Sequence, residues 1–235
     1  MKGRAGLQSC GGSPDPPPLR RSQPRRYSVL VDCSRRRLPH VYAIGQPLFV
    51  TFRLYGSLPV GREFPKGSIT SGQAFVALDR LLDTARCGPM HLAAPRIATL
   101  VRASILHCAR VDYDLHAWVI MPNHVHLLIT PQRDVSSFLR RLKGYSARQA
   151  NQALGEPGKP FWQDESYDRL VRSGDEFRRI GRYIVANPVK AGLAQSAEAF
   201  PWSSAAGGPG GPLQAWTPAP PTAGCAAWPA GRPRR

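Results

Sequence analysis

Between Leu115 and Pro131 the chain carries two runs of β-branched, aliphatic and aromatic residues, Leu115 to Met121 and His124 to Pro131, joined by Pro122-Asn123. This pattern sets an antiparallel hairpin, because such residues fill a pleated surface while proline and asparagine make a tight turn. On the second strand, side chains two apart share a face. His124 and His126 therefore project together, and Val125 and Leu127 point to the other side. The hairpin is expected to be the centre of the protein.

The elements around it follow from periodicity. From Gln46 to Tyr55, Leu48, Val50, Phe52 and Leu54 alternate with Phe49, Thr51, Arg53 and Tyr55, which predicts a strand. A mostly helical stretch is expected from Ser71 to Arg110, with core faces at Phe75, Leu78, Leu81 and Leu82 and again at Ile97, Leu100, Val101 and Ile105. Val135 to about Leu154 reads as a basic helix that packs through Phe138, Leu139 and Leu142. A last helix starts near Ser173, three residues before Glu176 in a capping-box pattern, and is expected to end by Asn187 because Pro188 disfavours helical geometry before it. Strand, helices, hairpin and helices together predict an α+β fold with an antiparallel sheet.

The glycines and prolines crowd toward the two ends of the 235 residues. Residues 1–38, rich in Arg, Pro, Ser and Gly, are expected to form a disordered basic arm, and residues 205–235 a disordered Gly/Pro/Ala-rich tail. One domain, 39–204, is left between them. A formal net charge of +17 points to a polyanionic partner, with nucleic acid leading. The five cysteines are scattered, odd in number and without a CxxC pair, so neither a disulfide framework nor a zinc ribbon follows. With no apolar stretch long enough for a membrane helix, the expectation is a soluble cytoplasmic protein without a membrane partner.

Two imidazoles side by side make half a metal site. They suit manganese or zinc, and help hold magnesium when phosphate and water complete the shell. Candidate partners lie on the last helix, where Tyr183 and Asn187 are four apart and share a face, with Arg179 one turn earlier. By periodicity alone the better reading of Tyr183 is a core tyrosine beside Ile180 and Ile184, and of Asn187 a residue that closes a helix. Chemistry favours the functional alternative: a cation on a phosphodiester oxygen lets a phenol attack phosphorus without a strong base. Arg140, Arg141, Lys143 and Arg148, with Trp162 and Gln163, are candidates to grip single-stranded or hairpin DNA by phosphate pairing and stacking. Tyr145 and Tyr167 read as packing or strand contacts, and His116 as a structural histidine.

Three segments carry a specific resemblance: Ala-Trp-Val-Ile-Met-Pro-Asn-His-Val-His-Leu-Leu, then Pro-Phe-Trp-Gln-Asp-Glu-Ser-Tyr-Asp, then Tyr-Ile-Val-Ala-Asn-Pro-Val-Lys-Ala-Gly-Leu. In this order, from about Arg36 to about Ser204, the chain resembles the IS200-like Y1 transposases and, more narrowly, their REP-associated tyrosine transposase branch. The resemblance implies an HUH endonuclease on a ferredoxin-like antiparallel sheet with flanking helices, using a divalent ion, Mg2+ or Mn2+. It places the metal histidines on His124 and His126 and the catalytic tyrosine on Tyr183. It puts Asn187 where many insertion-sequence relatives have a glutamine ligand. The implied reaction is nicking and rejoining of single-stranded or hairpin-forming repeat DNA through a 5'-phosphotyrosine intermediate. The alternative is a catalytically silent, domesticated protein that binds structured DNA. Members differ in whether one chain or two complete a site, so monomer and homodimer both fit. The implied location is the bacterial cytoplasm, at the nucleoid.

Overall fold

The computed structural model describes residues 32–35, 39–58, 71–84 and 88–207. Most of the expected arm and nearly all of the expected tail lie outside the described residues. Asp32–Arg35 (β1), inside the stretch read as an arm, pairs antiparallel with Pro39–Tyr42 (β2).

The main sheet has four strands, Leu48–Arg53 (β3), Tyr113–Ile120 (β4), His124–Pro131 (β5) and Tyr167–Leu170 (β6), in the spatial order β4-β5-β3-β6. All three pairings are antiparallel. Helices Ser71–Thr84 (α1) and Pro95–Ala109 (α2) join β3 to β4, helix Val135–Leu154 (α3) joins β5 to β6, and helix Gly174–Lys190 (α4) follows β6. This is the split β-α-β-β-α-β arrangement of ferredoxin-like folds. The expectation that the hairpin is the centre is corrected: β4 is an edge strand and the innermost pairing is β5 with β3, because β3 inserts between β5 and β6; β4 also begins at Tyr113, two residues before the expected Leu115.

Strand alternation divides the core in two. Leu48, Val50, Phe52, Trp118, Ile120, Val125, Leu127 and Ile129 point to one face and are buried with Ile97, Val101 and Ile105 of α2 and Phe138, Leu139 and Leu142 of α3. Phe49, Ala117, Val119, Met121 and Leu128 point to the other, against Phe75 of α1 and Phe177, Ile180 and Ile184 of α4. Burying Trp118 and these branched side chains contributes roughly 1.5–3 kcal/mol each, which offsets the ordering entropy of the strands that present them.

Helix ends are set by local chemistry. Asp134 caps α3 by accepting the Ser137 N–H at 2.6 Å, and Gly155 closes it in the left-handed region at φ 73°. Ser173 caps α4 by accepting the Glu176 N–H at 3.1 Å, as the capping-box pattern predicted, while the Glu176 carboxylate reaches back to the Arg172 N–H at 3.0 Å. The expected stop at Asn187 is corrected: α4 runs through Pro188 to Lys190. Proline removes one backbone donor near the helix end, but Pro188 is buried, and the Ala191 and Leu193 N–H groups close the last turn on Asn187 and Pro188.

Two further differences from the sequence reading stand out. The edge strand β6 carries charged residues and only four positions, too few to show alternation, and pairs with β3 through Leu48↔Leu170 to Thr51↔Tyr167. At the C-terminal end the fold reaches slightly past the expected boundary, with Ser203 bridging Val119 and Ser204–Ala206 forming a short turn. Among the described residues, no helix is long and apolar enough to cross a membrane.

Candidate functional site

β5 brings His124 and His126 to the face covered by α1 and α4. Both imidazoles are fully buried rather than half-exposed, and their Nε2 atoms lie 3.0 Å apart. His124 Nδ1 is 2.6 Å from Asn123 Oδ1, and Asn123 Nδ2 donates to the Leu82 carbonyl at 2.9 Å. A carbonyl only accepts, so the amide orientation is fixed and His124 Nδ1 must carry the proton. The lone pair of His124 is therefore on Nε2, facing inward. His126 Nδ1 is held at 2.7 Å by Thr51 Oγ1, its cross-strand neighbour on β3. Outer hydrogen bonds of this type orient imidazoles that ligate metals.

Two acids, Asp79 and Asp83, were missed in the sequence. They sit four apart on α1 and bring carboxylates to the same point. Asp79 Oδ1 lies 3.1 Å from His126 Nε2 and 3.6 Å from His124 Nε2, and Asp83 Oδ1 lies 3.9 Å from His124 Nε2. A signal existed: Asp79 follows Phe75 by four and precedes Leu82 by three, which puts an acid inside the buried stripe of an amphipathic helix. Burial alone would raise the Asp79 carboxyl, yet the His126 and His124 imidazoles and the Asn187 amide together hold it below the usual range. Asp83 is pushed up to about 7, first by burial and then by the charge of Asp79. His124 is driven down to about 3 by burial and by His126, against the pull of Asp79, so its imidazole is neutral at physiological pH, the form that ligates.

Tyr183 lies on the same side of the sheet as the histidines. Its ring is half-buried, 5.9 Å from the His126 ring between centroids, and edge-on to Phe49 and Phe75. Lys190 Nζ, two turns along α4, sits 4.6 Å from the Tyr183 ring centroid. Asn187 is buried on the same helical face, and its Nδ2 approaches Asp79 Oδ2 at 3.5 Å. Arg179 is exposed one turn before Tyr183, 4.0 Å from Glu176.

The other expected DNA contacts lie elsewhere. α3 packs against the opposite face of the sheet, so Arg140, Arg141, Lys143 and Arg148 are separated from the histidines by the sheet itself. Arg140 and Arg148 are exposed, whereas Arg141 pairs with buried Asp112 at 2.6 Å and Lys143 Nζ donates to the carbonyls of Gln163 and Asp164. Trp162 is a correction. Its indole is buried, edge-on to Phe52 and Phe161, and donates to Ser146 Oγ at 2.9 Å, so its ring faces are already covered by the core. Tyr145 is 58% exposed, while Tyr167 packs by stacking on Phe75. His116 meets Thr130 Oγ1 at 2.7 Å and the edge of Phe177, consistent with a structural histidine.

The donor set fits a divalent cation on this structure's own evidence. Asp79 Oδ1, Asp83 Oδ1 and Asn187 Oδ1 are buried without a hydrogen-bond partner, and the inward atom of His124 is a lone pair. Acceptors gathered in this way repel one another unless positive charge sits among them.

Known proteins similar in sequence to this chain are transposases. Residues 97–187 match the family model of IS200-like transposases, a span that runs from α2 to Asn187 and includes both histidines and Tyr183. This segment, well under half of the chain, is similar to IS200-like transposases. Over 95 residues the chain is 32% identical to the REP-associated tyrosine transposase of Escherichia coli K12, covering 39% of this chain and 54% of that protein. Over 71 residues it is 37% identical to the ISDra2 transposase TnpA of Deinococcus radiodurans, covering 28% of this chain and 51% of that one. The chain thus spans about half the length of these curated relatives. A solved REP-associated tyrosine transposase bound to a REP hairpin aligns with 80% of this chain and 93% of its own, at 21% identity and a TM-score of 0.47. α1, with Asp79 and Asp83, falls outside the segment that matches the transposase family model.

Proposed function

We propose that this protein is a metal-dependent single-stranded DNA endonuclease and strand transferase that acts through Tyr183 on hairpin-forming repeat DNA. The observation that carries the reading is an inward-facing imidazole pair, with Nε2 atoms 3.0 Å apart, and a phenol on the same sheet face with its ring 5.9 Å from that of His126. The relatives with matching sequence are transposases, one of them REP-associated, and this supports the same chemistry and class of DNA here.

His124 and His126 hold the divalent ion, Mg2+ or Mn2+, with further donors drawn from the acid and amide groups around them. When bound, the ion neutralises charge on a non-bridging phosphate oxygen. Tyr183 supplies the nucleophile: a bond forms between its oxygen and phosphorus, the bond from phosphorus to the 3'-oxygen breaks, the phenolic proton passes to water, and the departing 3'-oxygen takes a proton from water. The products are a 5'-phosphotyrosine and a free 3'-hydroxyl, and the reverse attack rejoins DNA without a nucleotide triphosphate. The Lys190 ammonium beside the ring favours the negative charge that develops on the phenol oxygen. Arg179, exposed one turn earlier, is placed to pair with a backbone phosphate.

The test is covalent trapping. Incubation with a hairpin-bearing single-stranded oligonucleotide and Mn2+ should give a denaturation-resistant protein–DNA adduct that chelator abolishes and Tyr183→Phe cannot form. An adduct of unchanged yield in Tyr183→Phe would remove Tyr183 from the reaction. DNA binding without any adduct in the native protein would leave a DNA-binding protein in place of the enzyme.

A further inference from the structure

We infer that the third protein ligand of the metal is the Asp79 carboxylate from α1, and that Asn187 braces this carboxylate from behind. The inference rests on the reading above, that His124 and His126 hold a divalent ion.

Three distances carry it. The inward atoms of His124, His126 and Asp79 form a triangle with edges of 3.0, 3.1 and 3.6 Å. Adjacent donors on an octahedral ion with ligand bonds of about 2.1 Å are about 3.0 Å apart, so two edges of the triangle match one face of such a shell and the third, between His124 and Asp79, is longer by about 0.6 Å. All three residues are buried, with Asp79 only 2% exposed. Asp79 Oδ1 accepts no hydrogen bond of adequate geometry even though His126 Nε2 is 3.1 Å away. A carboxylate oxygen this close to an imidazole, buried and without an aligned donor, is aimed at a common centre.

Charge gives the second argument. Imidazole and amide ligands alone offer a divalent ion no compensating charge in a buried site, so such a set would depend on DNA phosphate to complete it. Adding one carboxylate makes the set anionic, which holds the ion before DNA arrives. The Asn187 amide fits the bracing role because its N–H faces the other oxygen of Asp79 at 3.5 Å. Asp83, 3.9 Å from His124, stands behind as an outer acid.

The experiment is Mn2+ titration of the full, DNA-free chain, followed by calorimetry and by electron paramagnetic resonance. Asp79→Asn should weaken Mn2+ binding by more than about 100-fold, beyond the usual effect of an outer partner, and Asn187→Ala by about 10-fold. Asp79→Cys loaded with Co2+ should show thiolate-to-cobalt charge-transfer absorption that the native chain, with its own cysteines, lacks. Circular dichroism establishes that each variant is folded, and where one of the two Asp79 variants is not, the other decides. Asp79→Asn binding within about 3-fold of native, or a folded Asp79→Cys without the absorption, would overturn the assignment. His124→Ala separates the two levels. If it leaves Mn2+ affinity intact, the histidine site itself is wrong. If it abolishes binding while Asp79→Asn does not, only the third ligand is wrong.

Discussion

Trp162 allows a test in which structural and DNA-binding roles give opposite readouts. Its indole N–H donates to Ser146 Oγ at 2.9 Å, and that hydroxyl donates to the Leu142 carbonyl at 2.7 Å, with Ser146 fully buried. Ser146→Ala removes the acceptor and leaves a buried N–H unpaired, which costs about 1–3 kcal/mol. The Leu142 carbonyl lies within α3, so it loses little. Trp162→Phe removes the same hydrogen bond from the other side and part of the ring packed on Phe52 and Phe161, for about 1–3 kcal/mol. The double variant removes one shared interaction, so it should be less destabilised than the two singles summed, by about 1 kcal/mol. Urea unfolding of all four proteins at a common slope measures the cycle. Fluorescence anisotropy with a labelled hairpin oligonucleotide at fixed salt measures DNA affinity, which Trp162→Phe should leave within about 2-fold. A Trp162→Phe protein of native stability that binds DNA tenfold more weakly would refute the argument and return the indole to the DNA interface.

Three other outcomes follow from groups away from the histidines. Glu176→Gln should cost about 1–2 kcal/mol at neutral pH, because the buried carboxylate accepts from the Arg172 N–H and from Arg169. Burial pushes this carboxyl up, but those donors more than offset it and hold it below its ordinary 4.5. Its contribution is therefore complete above 4.5 and lost as pH falls through the lower folded value, and thermal melts should show native and Glu176→Gln converging in acid. Gly155→Ala should lower stability by about 1–2 kcal/mol by chemical denaturation, because φ is 73° at the α3 cap and a side chain is strained there even though nothing crowds it. The Cys108 thiol is pushed up to about 11, first by burial and then by Asp112, so peptide mapping should find it alkylated at pH 8 at least about 50-fold more slowly in the folded chain than in urea.

Where a residue's face is decided by the strand it sits on, the sequence was enough. Alternation placed His124 and His126 together, and the four-residue spacing placed Tyr183 and Asn187 on one side of α4. What alternation does not encode is which helix covers which face. The basic residues of α3 are candidates for DNA contact in the sequence, but the structure puts the sheet between them and the imidazoles of β5. Trp162 suggested a stacking platform because its ring is large and lies near basic residues. Its burial depends on Ser146, a tertiary partner that no local pattern announces. Asp79 was overlooked for the opposite reason, since an acid on a helix is ordinarily solvated and only its position in the Phe75-to-Leu82 stripe marks it. The continuation of α4 beyond Pro188 shows tertiary burial overriding a local proline penalty.

The two-sidedness of β5 has a bearing on how such a protein can change over time. Val125 and Leu127 anchor one half of the interior, and the imidazoles between and beside them serve the other. A single codon inserted or deleted between Asn123 and Leu127 would turn aliphatic groups toward Asp79 and imidazoles into the aliphatic half. Changes in the length of this strand therefore cannot remove the imidazole pair while the scaffold persists. Relatives that keep the scaffold but lack the pair should arise by point replacement of His124 or His126, not by shifts of length in the hairpin.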